Sequence, residues 1–87
     1  MYYVYVLENQ VDKSWYIGFT TDVEKRTEAH NNGNGARITS MKRNWKRIYQ
    51  EGYLDKMDAL GREKFLKSGS GRKFLKHQLN HCLARIK

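Results

Sequence analysis

The sequence predicts an α+β domain: a small three-stranded antiparallel sheet flanked by helices, in the order ββαβαα. Three observations predict it. Two runs rich in β-branched and aromatic residues, "YYVYVL" at 2–7 and "SWYIGF" at 14–19, are separated only by the polar stretch "ENQVDK". So short a connection implies an antiparallel hairpin, because a parallel pair needs a long crossover. A third run, "WKRIYQEGY" at 45–53, alternates large and polar side chains, and two segments after it carry apolar residues at helical spacing.

The hairpin register is read from its apolar face. Pairing Leu7 with Ser14 sets Tyr5 opposite Tyr16 and Tyr3 opposite Gly18. One face then holds Tyr2, Val4 and Val6 against Trp15, Ile17 and Phe19, and a one-residue slip would scatter that set. This face is the expected core side. Tyr5 and Tyr16 share the other face, with Gly18 leaving space beside them.

Thr21-Asp22-Val23-Glu24 has the pattern of a capping box, a hydroxyl followed three residues on by a carboxylate. It predicts a first helix from Asp22 to about Asn31, ended by Asn32-Gly33-Asn34-Gly35. The loop "ARITSMKRN" and the third strand follow. Asp55 is placed to cap a second helix over 56–67, with Met57, Ala59, Leu60, Phe65 and Leu66 apolar. Ser68-Gly69-Ser70-Gly71 breaks it, and a third helix is expected over 71–85. Its stripe of Phe74, Leu75, Leu79, Cys82, Leu83 and Ile86 reads as core.

Eighty-seven residues form one domain, 1–87. No apolar run approaches the roughly 18 residues of a membrane span, and Met1–Leu7 lacks the basic start of a signal peptide. Cys82 is the single cysteine, which excludes an internal disulfide and a cysteine zinc cluster and points to a reducing cytoplasm. Seventeen Lys and Arg against nine Asp and Glu give a formal charge of +8, a field that attracts polyanions such as nucleic acid.

Arg26 and His30 are four residues apart on the first helix and share a face with Val23. Glu63 lies beside the apolar stripe of the second helix, where an unpaired carboxylate is uncommon. His77, Asn80 and His81 fall on the polar side of the last helix and read as surface. With Tyr5 and Tyr16, the first three are the groups that phosphodiester hydrolysis asks for: a guanidinium to neutralise developing charge, a carboxylate to hold a hard cation, and groups that move a proton.

In this combination the chain resembles the GIY-YIG nuclease superfamily. Tyr3-Val4-Tyr5 and Tyr16-Ile17-Gly18 resemble its paired tripeptides, the second identically; in the first, tyrosine and valine replace glycine and isoleucine at 3 and 4. Arg26, His30 and Glu63 fall where the family has its helix arginine, its histidine or tyrosine, and its metal-binding glutamate. The chain is most similar to small stand-alone bacterial members, which are related to the N-terminal nuclease domain of the bacterial excision-repair endonuclease. The resemblance implies a Mg²⁺-dependent (or Mn²⁺-dependent) endonuclease acting on DNA, in repair or processing, with one ion on Glu63. Arg26 would stabilise the pentavalent phosphate. Tyr5 or Tyr16 would take the water proton, its phenolate favoured by nearby positive charge, with His30 relaying that proton or orienting the water. Phe19 stands where some members have lysine, and Leu75 lies nearest the place of the family's last-helix asparagine, Asn80 being too far along. Arg72 or Lys67 would then help position phosphate. Arg37, Lys42, Arg43, Lys67, Arg72 and Lys73 are the expected nucleic-acid contacts. The alternative is a module of the same fold that binds nucleic acid through such cations, Lys46 and Arg47 included, without cutting it.

Overall fold

The computed structural model describes residues 1–34 and 42–85. Its elements are β1 (Tyr2–Asn9), β2 (Trp15–Thr20), α1 (Val23–Asn31), β3 (Trp45–Tyr53), α2 (Lys56–Lys67), α3 (Gly69–Gln78) and α4 (Asn80–Arg85). The strands form one antiparallel sheet in the order β2-β1-β3, with β1 central. The expected α+β class and three-stranded antiparallel sheet are both found. No helix among the described residues is long and apolar enough to cross a membrane.

The hairpin differs from the expected register by two residues. Leu7 pairs with Tyr16, Tyr5 with Gly18 and Tyr3 with Thr20. The cause is that β1 does not stop at Leu7: Glu8 and Asn9, expected in the loop, are strand residues, 4% and 2% exposed. Asn9 organises the turn itself. Its Oδ1 accepts from the Val11 and Asp12 amides and its Nδ2 donates to the Arg43 carbonyl at 2.8 Å, while Lys13 takes the left-handed conformation the turn needs, φ 64°. A two-residue shift leaves face parity intact. Val4, Val6 and Ile17 therefore still face one core, packed with Ala59, Leu66, Leu75 and Leu79 from the later helices.

The opposite face is covered as well. α1 lies on it, and Tyr5, Leu7, Val23 and Trp45 form a second cluster with Tyr3 and Tyr16 at its margin. α1 starts one residue later than expected. β2 runs to Thr20, so Thr21 serves as connection and Asp22 is the N-cap, its carboxylate accepting from the Lys25 amide at 3.1 Å. At its other end Asn31 clamps the start of β3: Oδ1 accepts from the Trp45 amide at 2.7 Å and Nδ2 donates to the Trp45 carbonyl at 3.0 Å. In β3, Arg47 pairs with Leu7 and Tyr49 with Val6, leaving Ile48 as a bulge.

Asp55 caps α2 as expected, accepting from the Met57 amide. Met57 and Phe65 are not core, at 72% and 39% exposed. The expected third helix is two. Ser68 both ends α2 and caps α3, its hydroxyl accepting from the Gly71 amide, so α3 begins at Gly69. Asn80 then opens α4. The α2–α3 corner is closed by contact at Gly71, where even a Cβ would stand 1.9 Å from the Phe65 carbonyl oxygen.

Candidate active site

The first helix aims Arg26 and His30 at the strand tyrosines. His30 is fully buried, and its Nε2 lies 2.9 Å from the Tyr5 hydroxyl. The Tyr16 ring packs against the imidazole at 4.7 Å between centroids and against Tyr5 at 6.3 Å. Tyr5 is 1% exposed, whereas Tyr16 and Arg26 are half-buried, so solvent reaches the group from the Tyr16–Arg26 side.

Gly18 makes this arrangement possible. It stands opposite Tyr5, and a Cβ there would lie 2.5 Å from the Tyr5 hydroxyl oxygen and 2.6 Å from Cζ. The phenol ring therefore crosses over β2 toward the free edge of the sheet. This explains how Glu63, which comes from α2 on the other side of the sheet, acts on the same hydroxyl by its charge. Glu63 is half-buried and pairs with Lys67 at 3.2 Å, one helical turn on.

The electrostatics follow from burial. Removal from water pushes the Tyr5 hydroxyl up to about 12; Arg26 beside it works in the opposite direction and does not overcome burial. Arg26 by itself therefore does not favour a Tyr5 phenolate. His30 is held below the usual histidine range, first by burial and then by the Arg26 charge, so it is a neutral imidazole. A surface cation at the helix end would have been the ordinary use of a histidine there. In the tautomer that carries its proton on Nδ1, Nε2 accepts from the Tyr5 hydroxyl.

Tyr5, Tyr16, Arg26 and His30 are thus brought together, with Glu63 within electrostatic reach. The expected phosphate contacts are dispersed. Lys42 is exposed and pairs with Asp12 at 2.6 Å, and Arg43 donates to the Lys42 carbonyl at 3.0 Å; both precede β3. Lys67 is engaged by Glu63. Arg72 and Lys73 are exposed on α3, with the Arg72 guanidinium over the Trp15 ring at 5.6 Å. Arg37 lies outside the described residues. Leu75 is fully buried core, and the Asn80 side chain is turned to the His77 carbonyl. A hollow outside α1, near 470 Å³, is lined by Glu24 and Glu28 besides Arg47, which suits a polyanion poorly. One positioning residue, Asn31, was not foreseen, and Gly18, expected to leave space beside the tyrosines, was not expected to pair with Tyr5. Asn31 fixes the end of α1 that carries His30, and nothing in a terminal Asn signals a partner fourteen residues away. The pairing of Gly18 with Tyr5 depends on the register.

A GIY-YIG catalytic domain model matches residues 1–77. A UPF0213 protein of Staphylococcus saprophyticus is 41% identical over 75 residues, which are 86% of this chain and 90% of that protein. A UPF0213 protein of Streptococcus pneumoniae is 45% identical over 65 residues, 75% of this chain; the chain spans 65% of that relative's length. The solution NMR structure of a UPF0213 protein from Bacillus halodurans is similar at a TM-score of 0.53 and 37% identity, covering 94% of this chain and 85% of that one. GIY-YIG nucleases are generally metal-dependent and act on nucleic acid. Matched along most of its length by this domain and these relatives, the chain belongs to the GIY-YIG family, among its small UPF0213 members.

Proposed function

We propose that the chain is a metal-dependent endonuclease that hydrolyses phosphodiester bonds in DNA, with Tyr5, Tyr16, Arg26, His30 and Glu63 as its catalytic set. The observation that carries this reading is the enclosed Tyr5–His30 hydrogen bond, 2.9 Å long, beside a guanidinium. A buried phenol paired with a neutral imidazole is a proton relay. The Tyr5 oxygen takes a proton from the attacking water as its own proton passes to His30 Nε2. No free phenolate forms in the buried site, which agrees with the raised Tyr5 pKa. Arg26, charged throughout, neutralises the equatorial oxygens as negative charge grows on them. Tyr16, on the open side of His30, orients the water or the phosphate.

Glu63 is the residue that would hold the ion. Its chemistry fits: a half-buried carboxylate that already attracts a cation, Lys67, suits Mg²⁺ or Mn²⁺, which retain several waters and need few protein ligands. Such an ion, when bound, polarises a phosphoryl oxygen and stabilises the leaving one. No group of three or more His, Cys, Asp or Glu gathers among the described residues, so one ion on one carboxylate is the economical arrangement. Lys42, Arg43, Arg72 and Lys73, with Lys67 once released from Glu63, contact phosphates and set no sequence preference. The single thiol, Cys82, accords with a cytoplasmic setting, and DNA repair or processing is the role that suits such an activity.

Supercoiled plasmid incubated with the protein and Mg²⁺ should be nicked and linearised, and Glu63→Gln should abolish this. Equal cutting by wild type and variant would refute the assignment. Salt-sensitive DNA binding without cutting under any divalent ion, indifferent to Glu63→Gln, would establish the non-cleaving alternative instead.

A further inference from the structure

Glu8 is a buried carboxylate that the mechanism does not use. It is 4% exposed. Its Oε2 accepts from the Trp15 indole N–H at 3.0 Å, while its buried Oε1 has no hydrogen-bond partner among the described residues, and it joins none of their ion pairs. Proteins rarely keep such an oxygen without a use for it. Glu8 lines an open groove of about 720 Å³ on the sheet face that carries α2 and α3. Trp15 and Leu83 supply its apolar wall, and the exposed Lys13, Arg72 and Lys76 stand at its rim.

This layout selects a ligand. Three cations at the rim attract an anionic group and repel a cationic ligand. The carboxylate at the floor refuses an anion, so the deep end of the ligand must be a neutral N–H donor. Between them the indole offers a platform for a flat ring. Negative at one end, flat in the middle and N–H-bearing at the far edge describes a nucleotide.

We propose that this groove is a subsite for one unpaired nucleotide of a nucleic-acid strand. The base stacks on Trp15, an exocyclic amino group donates to Glu8 Oε1, and the flanking phosphates meet Lys13, Arg72 and Lys76. Arg72 lifts from the indole as the base enters, exchanging one exposed cation–π contact for a stack. A base with an exocyclic amino group is preferred, and of the two DNA pyrimidines cytosine is the one that carries it. Thymine presents its one N–H between two carbonyl oxygens, which a carboxylate repels. β2 is an edge strand, and Trp15 and Tyr16 are neighbours on its opposite faces. A strand crossing that edge reaches both the groove and the candidate active site.

The subsite rests on nucleic acid being the substrate, and its test is separable from that of cleavage. The full chain, ¹⁵N-labelled and free of divalent ions, is titrated with short oligo-dC and oligo-dT. The Trp15 indole resonance and the amides of Arg72 and Lys76 should shift together. Oligo-dC should bind about 10- to 100-fold tighter, the worth of one hydrogen bond to a charged acceptor. Glu8→Gln, an isosteric change, should bring the ratio near one, and Arg72→Ala should weaken both ligands alike, which keeps the test open should Glu8→Gln not fold. An unmoved Trp15 indole at saturating oligo-dC, or a ratio indifferent to Glu8→Gln, overturns the subsite even where the plasmid is cut. A full groove response in a chain that never cuts leaves the subsite standing and removes the nuclease reading.

Discussion

Replacing Gly18 with alanine tests how the sheet aims Tyr5. Glycine inside a strand is ordinarily a weakness, and Gly→Ala there gains about 0.5–1 kcal/mol where space allows. At Gly18 the new Cβ would meet the Tyr5 ring at 2.5–2.9 Å, too close to stand. Tyr5 is buried and cannot swing into solvent. Overpacking of this kind costs ~1–3 kcal/mol, so the net effect should be a loss of about 1–2 kcal/mol. Urea unfolding measures it as a lower midpoint at unchanged slope. The control is the same substitution in a Tyr5→Leu background, where the ring is gone and alanine should be neutral or stabilising. An equal loss in both backgrounds would show that Tyr5 is not what Gly18 makes room for.

Two further outcomes follow from the same geometry. His30 has a depressed pKa in the folded chain, so the unfolded chain binds a proton the folded one refuses. Its contribution to stability is present above the ordinary histidine pKa of about 6.5 and declines as pH falls below it. Urea midpoints between about pH 7.5 and 5.5 should drop toward the acid side, and His30→Gln should flatten that slope; a variant with the wild-type slope would count against a buried neutral imidazole. Gly71→Ala sets a Cβ against the backbone of Phe65 and Leu66, atoms that cannot give way. A loss of about 3 kcal/mol or more is expected, seen as a Tm fall of more than roughly 10 °C; a fall of only a few degrees would contradict the tight α2–α3 corner.

The sequence made the sheet faces legible, and the reason is specific. Strand side chains alternate with a period of two, so the two-residue error in pairing Leu7 left Val4, Val6 and Ile17 on the core side and Tyr5 and Tyr16 on the other. Val23, Arg26 and His30 were placed together by helical geometry, which does not depend on exact boundaries. What could not be read were features decided at a distance. Glu8 and Asn9 look like loop residues until Arg43 and Trp15 are brought up to bond them. The N-cap passed from Thr21 to Asp22 because β2 extends to Thr20. Glu51 reads as an ordinary polar residue of a strand, yet it accepts from Tyr49, Tyr53 and both Nε and Nη2 of Arg62. Burial works to raise its pKa, and those partners together hold it below the usual range. The chemistry assigned to Tyr5 also changed with depth. Positive charge beside it suggested a phenolate, whereas burial raises its pKa and sets its hydroxyl 2.9 Å from His30 Nε2.

The central claim is that Glu63 holds the ion beside the tyrosine–histidine pair. A crystal grown with Mn²⁺ tests it most directly, by anomalous density. A peak is expected at the Glu63 carboxylate, facing Tyr5, Tyr16 and Arg26, and it should be lost in Glu63→Gln. A peak elsewhere, or one that survives the substitution, would contradict the claim.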